Sequence, residues 1–173
     1  MKRPLILIGF KACGKTSVGR ALAQYLQIPF IDTDTLLEAR YAAETGQALP
    51  CSEIYRAIGE PAFRAIEKKV VASLATTGLA VIATGGGVVL DPENVRVLRR
   101  LGTVVYLFAA YETLLTRLQA QTLPAFLDDL TDFQNLFKRR QALYRKLSDR
   151  VWDTEHDSVS EIAEKLYQAY GGK

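Results

Sequence analysis

The eight residues from Gly9 to Thr16, reading Gly-Phe-Lys-Ala-Cys-Gly-Lys-Thr, constrain this chain more than any other stretch of it. They fit the pattern G-x-x-x-x-G-K-[ST], and their flanks are the ones that pattern needs. Leu5-Ile6-Leu7-Ile8 before them is a short apolar run of β character. Ser17 to Leu26 after them reads as a helix, with Val18, Leu22, Tyr25 and Leu26 on one face. A strand, a glycine-bearing turn and a helix in that order aim successive backbone N–H groups at a polyphosphate, over the positive end of the helix. Lys11, Ala12, Cys13, Gly14 and Ser17 would line that ligand, Lys15 would reach its β- and γ-phosphates, and the Thr16 hydroxyl would bind Mg²⁺. The expected ligand is a nucleotide.

The rest of the composition narrows the setting. At 173 residues the chain suits one domain spanning 1–173, large enough to bury roughly 70% of its unfolded surface. No apolar run approaches the ~20 residues of a membrane span, and Met1-Lys2-Arg3-Pro4 shows no signal-peptide architecture. Two cysteines make no disulfide framework, and a bridge at Cys13 would block the loop. The expectation is a cytoplasmic monomer with no membrane partner. A net charge of +3, with basic residues dispersed except at Lys138-Arg139-Arg140, gives no case for nucleic acid but suits anionic small molecules.

Four further β-type runs follow: Pro29-Phe30-Ile31, Leu79 to Ala83, Val104 to Phe108, and a weaker one near Arg150-Val151-Trp152. Helical stretches mostly separate them, which argues for an α/β fold with a parallel sheet covered on both faces. Ligands of such sheets gather at the carboxyl ends of the strands. The loop at Gly9, the triplet Asp32-Thr33-Asp34 and the triplet Gly85-Gly86-Gly87 all follow strands, so they should converge. Residues 35 to about 67 read as a helical substrate-binding insertion interrupted at Gly46 and Pro50. Residues 119 to about 137, with Pro124, Asp128 and Asp129, read as a lid poor in core positions.

Within these segments, three groups of residues suggest chemistry. Asp32 and Asp34 leave a strand on alternate sides, so one suits the metal and the other a second substrate; Asp34 could instead cap a helix. Three consecutive glycines suggest main chain approaching a ligand closely. Arg64 and Glu67, three apart on one helix face, suggest an arginine held to bind a carboxylate. Cys13, beside Lys15 at a helix start, suggests a reactive thiol whose alkylation or oxidation blocks ATP binding and which MgATP would protect, with Cys51 as the internal control.

Taken in order, the phosphate loop, Ile31-Asp32-Thr33-Asp34, Gly59-Glu60-Pro61-Ala62-Phe63-Arg64-Ala65-Ile66-Glu67, Ala83 to Gly87 and Arg140-Gln141-Ala142-Leu143-Tyr144 resemble the shikimate kinases. These belong to the nucleoside-monophosphate-kinase-like phosphate-loop proteins. The resemblance implies a three-layer fold with a five-stranded parallel sheet in the order 2-3-1-4-5. It implies Mg²⁺ as cofactor, ATP and shikimate as substrates, and transfer of the γ-phosphate to the 3-hydroxyl of shikimate. Carried over by motif, Lys15 and Thr16 handle phosphate and Mg²⁺, Asp32 supports the metal, and Asp34 engages the attacking hydroxyl. Arg64 and Arg140 grip the carboxylate, Gly86 offers backbone to a hydroxyl, and Arg117 acts as a lid-side arginine near the adenine with a share in catalysis.

One departure stands out. Where that family carries Arg-Pro-Leu-Leu in its lid, this chain reads Leu123-Pro124-Ala125-Phe126. The loss of a cation there implies slower transfer, with Arg117 or Lys11 as partial substitutes. Two alternatives stay open: a kinase for another small hydroxylated acid, and a non-catalytic nucleotide- or metabolite-binding relative.

Overall fold

The computed structural model describes residues 3–119 and 130–170. Five parallel strands, β1 (Leu5–Ile8), β2 (Phe30–Asp32), β3 (Val81–Ala83), β4 (Thr103–Phe108) and β5 (Arg150–Asp153), form one sheet ordered β2-β3-β1-β4-β5. The central strand pairs Leu5 with Val81 on one side and with Thr103 on the other. All four residues of β1 are fully buried, as a strand covered on both faces requires. That explains why its sequence is an unbroken apolar run rather than an alternation.

Seven helices connect and cover these strands among the described residues: α1 (Lys15–Leu26), α2 (Thr33–Thr45), α3 (Cys51–Ser73), α4 (Pro92–Leu101), α5 (Tyr111–Gln119), α6 (Leu130–Leu147) and α7 (Val159–Tyr170). Helices α1 and α7 pack together, as do α2 and α3. Within the described residues, no helix is long and apolar enough to cross a membrane. The apolar side chains form two clusters. The larger surrounds the sheet, and Trp152 packs against it. The smaller lies between α2 and α3 and contains Leu37, Tyr41, Ile54, Phe63 and Val70.

Two local signals shape this second cluster. Helix α2 stops at Gly46, whose φ of 76° closes the helix through a bond to the Ala42 carbonyl. Helix α3 bends at Gly59 (φ 74°, ψ 167°), two residues before Pro61. Proline has no N–H for the ladder and its ring crowds the preceding turn, so the chain leaves helical geometry there and resumes.

The structure corrects two expectations. Asp34 does not cap α2; Asp32 does, its carboxylate accepting from the Asp34 N–H at 3.0 Å. The lid at 119–137 was expected to be poor in core positions, yet Phe133 and Phe137 are buried, 1% and 8% exposed. They sit one turn apart on α6 and pack against Phe10 and Tyr111. Leu123 to Phe126 lie outside the described residues.

Candidate active site

The carboxyl ends of β1, β2 and β3 open into a cleft of about 480 Å³. Lys11, Ala12, Gly14, Lys15, Thr16 and Ser17 line one side of it. Asp32, Asp34, Arg64, Gly86 and Arg140 line the other. Cys13 and Arg117 do not line it.

The phosphate loop is built by backbone. Gly9 has φ of 147°, and a Cβ there would stand 2.6 Å from the Leu107 carbonyl oxygen and 2.8 Å from Cys13 Sγ. Only glycine satisfies both the dihedral and the space. Gly14 precedes α1, so the loop feeds directly into the helix N-terminus. Lys15 Nζ donates to the carbonyls of Gly9 at 3.0 Å and Phe10 at 2.8 Å, which hold the ammonium against the loop. Thr16 Oγ1 donates to Asp32 Oδ2 at 2.8 Å.

Neither cysteine is placed as a reactive thiol of the phosphate loop. Cys13 is 1% exposed, its sulfur turned into the core, so a reagent in solvent cannot reach it. Cys51 lines the cleft instead. Burial, followed by the charges of Asp34 and Glu38, pushes its thiol up and keeps it protonated. Arg117 donates to the carbonyls of Ala12 and Thr154, both at 3.3 Å. It braces the outside of the phosphate loop against the segment after β5, apart from the group around Lys15 and Asp34.

The glycine triplet lines the cleft, and the fold adds a second reason for it. None of its residues has positive φ. The space is needed by side chains: a Cβ on Gly85 would stand 2.6 Å from Asp34 Oδ1, and one on Gly87 would collide with the Arg64 guanidinium. The loop after β3 is therefore a bed for Asp34 and Arg64. Thr33 fixes its height, its hydroxyl accepting from the Gly85 N–H at 2.9 Å.

Arg64 is held from two sides. Its Nη1 donates to both Glu67 carboxylate oxygens at 3.0 Å, and its Nε to Glu60 Oε1 at 3.3 Å. The Glu67 pairing matches the i,i+3 reading of the sequence. Glu60 went unread, although a carboxylate four residues before an arginine on a helix is itself a signal. Burial pushes the Glu67 carboxyl up and the Arg64 charge pulls it back. Asp34 opens onto the cleft, but protein crowds it on its other sides. That burial and then the charge of Asp32 push it up to about 6, against the pull of Lys15 and Lys11. Arg140 is 4% exposed; burial lowers its proton affinity, yet a guanidinium stays charged at such a site.

A phosphate loop after the central strand of a 2-3-1-4-5 parallel sheet, opening on a cleft shared with acidic and basic side chains, defines a phosphate-loop protein of the small-kinase class. Comparison with known proteins narrows this. The family profile for shikimate kinase matches residues 11–170. A shikimate kinase of Moorella thermoacetica is 40% identical over 167 residues, covering 95% of this chain and 92% of its own. One from Thiobacillus denitrificans is 38% identical, with 94% and 87% covered. The solved structure of the Acinetobacter baumannii shikimate kinase in complex with shikimate superposes with a TM-score of 0.88 at 29% identity, covering 98% of this chain and 93% of that one. The chain belongs to the shikimate kinase family.

Proposed function

We propose that this protein transfers the γ-phosphate of ATP to the 3-hydroxyl of shikimate, with the roles of its residues divided across the cleft. The observation that carries this reading is the meeting, in one cleft, of the phosphate loop with Asp34, Arg64 and Arg140. Family membership names the reaction, and this meeting supplies its two halves.

On the nucleotide side, the backbone from Lys11 to Ser17 cradles the phosphates, and Lys15 moves from the loop carbonyls to the phosphate oxygens. Thr16 and Asp32 suit Mg²⁺: a hydroxyl and a carboxylate already within 2.8 Å of each other are the hard oxygen donors that ion prefers. When bound, Mg²⁺ neutralises phosphate charge. Arg117, braced on Ala12 and Thr154, rigidifies the loop's outer face beside the nucleotide.

On the acceptor side, Arg64 and Arg140 bind the shikimate carboxylate, Arg64 with its orientation fixed by Glu60 and Glu67. Gly86 offers main chain to a ring hydroxyl. Asp34 accepts the hydrogen bond of the attacking hydroxyl and takes its proton as the new P–O bond forms and the bond to ADP breaks. Phosphoryl transfer asks mainly for positioning and charge neutralisation, which this set provides. Lys11, exposed at the mouth of the cleft, supplies a cation toward the transferred group in a chain whose residue 123 is leucine. The protein works as a single-domain cytoplasmic monomer on small anions, without nucleic acid or membrane partners.

The test is ADP release from MgATP with and without shikimate, beside Lys15→Ala. Shikimate-dependent release that Lys15→Ala abolishes supports the reading, and Leu123→Arg should then raise kcat. Shikimate binding without ADP would leave a recognition protein. Neither binding nor turnover would overturn the substrate.

A further inference from the structure

Tyr144 lies one turn after Arg140 on α6, fully inside the protein at 1% exposure. Its ring stacks at 5.1 Å on Tyr106 of β4, so its body belongs to the main core. Its hydroxyl needs a partner there, as any buried phenol does, and the partner it finds lies at the cleft. It donates to the Gly86 carbonyl oxygen at 2.6 Å. Viewed from Gly86, a Cβ would stand 3.5 Å from Tyr144 Oη and 3.6 Å from Arg140 Nη1. The phenol and the guanidinium therefore converge on the same glycine. Arg140 is also packed against the Phe10 ring, its guanidinium carbon 5.6 Å from the centroid.

We propose that Tyr144 is a positioning residue for the acceptor: its hydroxyl clamps α6 to the loop after β3, holding the Arg140 cation and the Gly86 main chain at one fixed spacing. The inference rests on the reading of Arg140 and Gly86 as acceptor-binding groups. The two sit on elements 54 positions apart in sequence, so nothing local fixes their separation. A buried phenol on the helix that carries Arg140, bonded to the Gly86 carbonyl, supplies that constraint. A misplacement of even an ångström in such a pair weakens recognition of a rigid ring acid. The clamp meets the phosphate loop at the Phe10 ring, while Lys15 and Thr16 are held by the loop carbonyls and Asp32.

Tyr144→Phe isolates it, because the ring that stacks on Tyr106 remains and one oxygen goes. The expected result is a rise of about tenfold in KM for shikimate, the size of losing one buried hydrogen bond. KM for MgATP should hold within twofold, and the melting temperature should stay close to that of the parent. Tyr106→Phe, which deletes the neighbouring buried hydroxyl, should leave the shikimate KM unchanged. A merely structural role would weaken shikimate, MgATP and thermal stability together, or leave the variant unfolded; either result overturns the proposal. An unchanged shikimate KM overturns it too. The parent protein in the same assay separates the two failures. Without shikimate-dependent ADP release from the parent, the reading of the reaction has failed; with it, only the role of Tyr144 is at stake.

Discussion

The two sides of the cleft are made of different material. The phosphate side is backbone: Gly9 is fixed by its dihedral and its clearance, and the loop is seated on β1 at the centre of the larger core. The acceptor side is side chains. Asp34, Arg64, Glu60 and Glu67 come from α2 and α3, whose own small core is Leu37, Tyr41, Ile54, Phe63 and Val70. A site made of main chain tolerates unusual side chains, as Lys11, Ala12 and Cys13 illustrate. A site made of side chains depends on every neighbour that aims them. The contrast predicts that changes will sort by side: some altering ATP use, others only shikimate use.

The largest expected effect tests the one side chain the phosphate half cannot replace. Lys15→Ala should lower kcat on the order of 10³-fold or more, as expected for a cation that neutralises a transferring phosphoryl group. Its fold should survive, since among the described residues the Lys15 ammonium bonds to loop carbonyls and, weakly, to the Cys13 sulfur. ADP release and a thermal melt measure the two. Retention of a tenth of the activity would mean that backbone alone handles phosphate here.

Arg64→Met strikes the other side. KM for shikimate should rise about 10–100-fold, the range for losing a charge-assisted hydrogen bond, with MgATP little affected. The same variant carries a pH signature. Burial already holds the Glu67 carboxyl above its ordinary range, and Arg64 is the main group pulling it back. Without Arg64, the charge of Asp34 from α2 still raises it and that of Arg140 from α6 lowers it. A carboxyl whose folded-state pKa exceeds its unfolded value stabilises the fold only while protonated. The variant should therefore melt higher near pH 5 than near pH 7.5, and lose stability as pH rises toward the folded-state pKa. A parent and variant with the same pH dependence of melting would show that Glu67 is not held by Arg64.

How far the sequence exposed each side follows from the same contrast. Backbone motifs are contiguous, so the loop at Gly9, the five strands and their carboxyl-end convergence could be read from local pattern, while the strand order came with the family resemblance. Side-chain sites are assembled across the chain, and there the reading was partial. Arg64 and Glu67 share a helix turn and were paired correctly. The clearance that Asp34 and Arg64 demand of Gly85 and Gly87 spans 51 and 23 positions, so local pattern carries no trace of it. Thr33 and Tyr144 show no task in the sequence, because their partners, Gly85 and Gly86, are brought to them by the fold. Burial of Cys13 was likewise invisible, since the turn that hides its sulfur depends on Gly9 and Leu107.

Gly59→Ala tests whether the acceptor side really stands on its own small core. The cost comes from backbone rather than crowding, since the added methyl would meet only Pro61 Cδ at 4.0 Å. A non-glycine residue held at φ 74° and ψ 167° costs about 1–3 kcal/mol. Part of that strain should be relieved by shifting the bend in α3, and with it Arg64. A several-fold rise in KM for shikimate at constant KM for MgATP is the expected outcome. Equal changes in both constants would mean that the two halves of the cleft move as one body.

The smallest effect belongs to Ala12, which holds φ of 68° in the phosphate loop, a conformation that L side chains rarely adopt. The left-handed region costs a residue with a Cβ about 1–2 kcal/mol. Glycine there would remove that cost but would also enlarge the unfolded ensemble, worth about 0.4–1 kcal/mol in the other direction. The difference favours Ala12→Gly by about 1 kcal/mol or less, read as a small rise in melting temperature. KM for MgATP should stay within twofold, because the residue serves the ligand through its main chain, which already has the required dihedrals. A clear loss of MgATP affinity in this variant would show that the methyl group rigidifies the loop for binding. The phosphate side would then depend on side chains after all, and the division between the two halves of the cleft would fall.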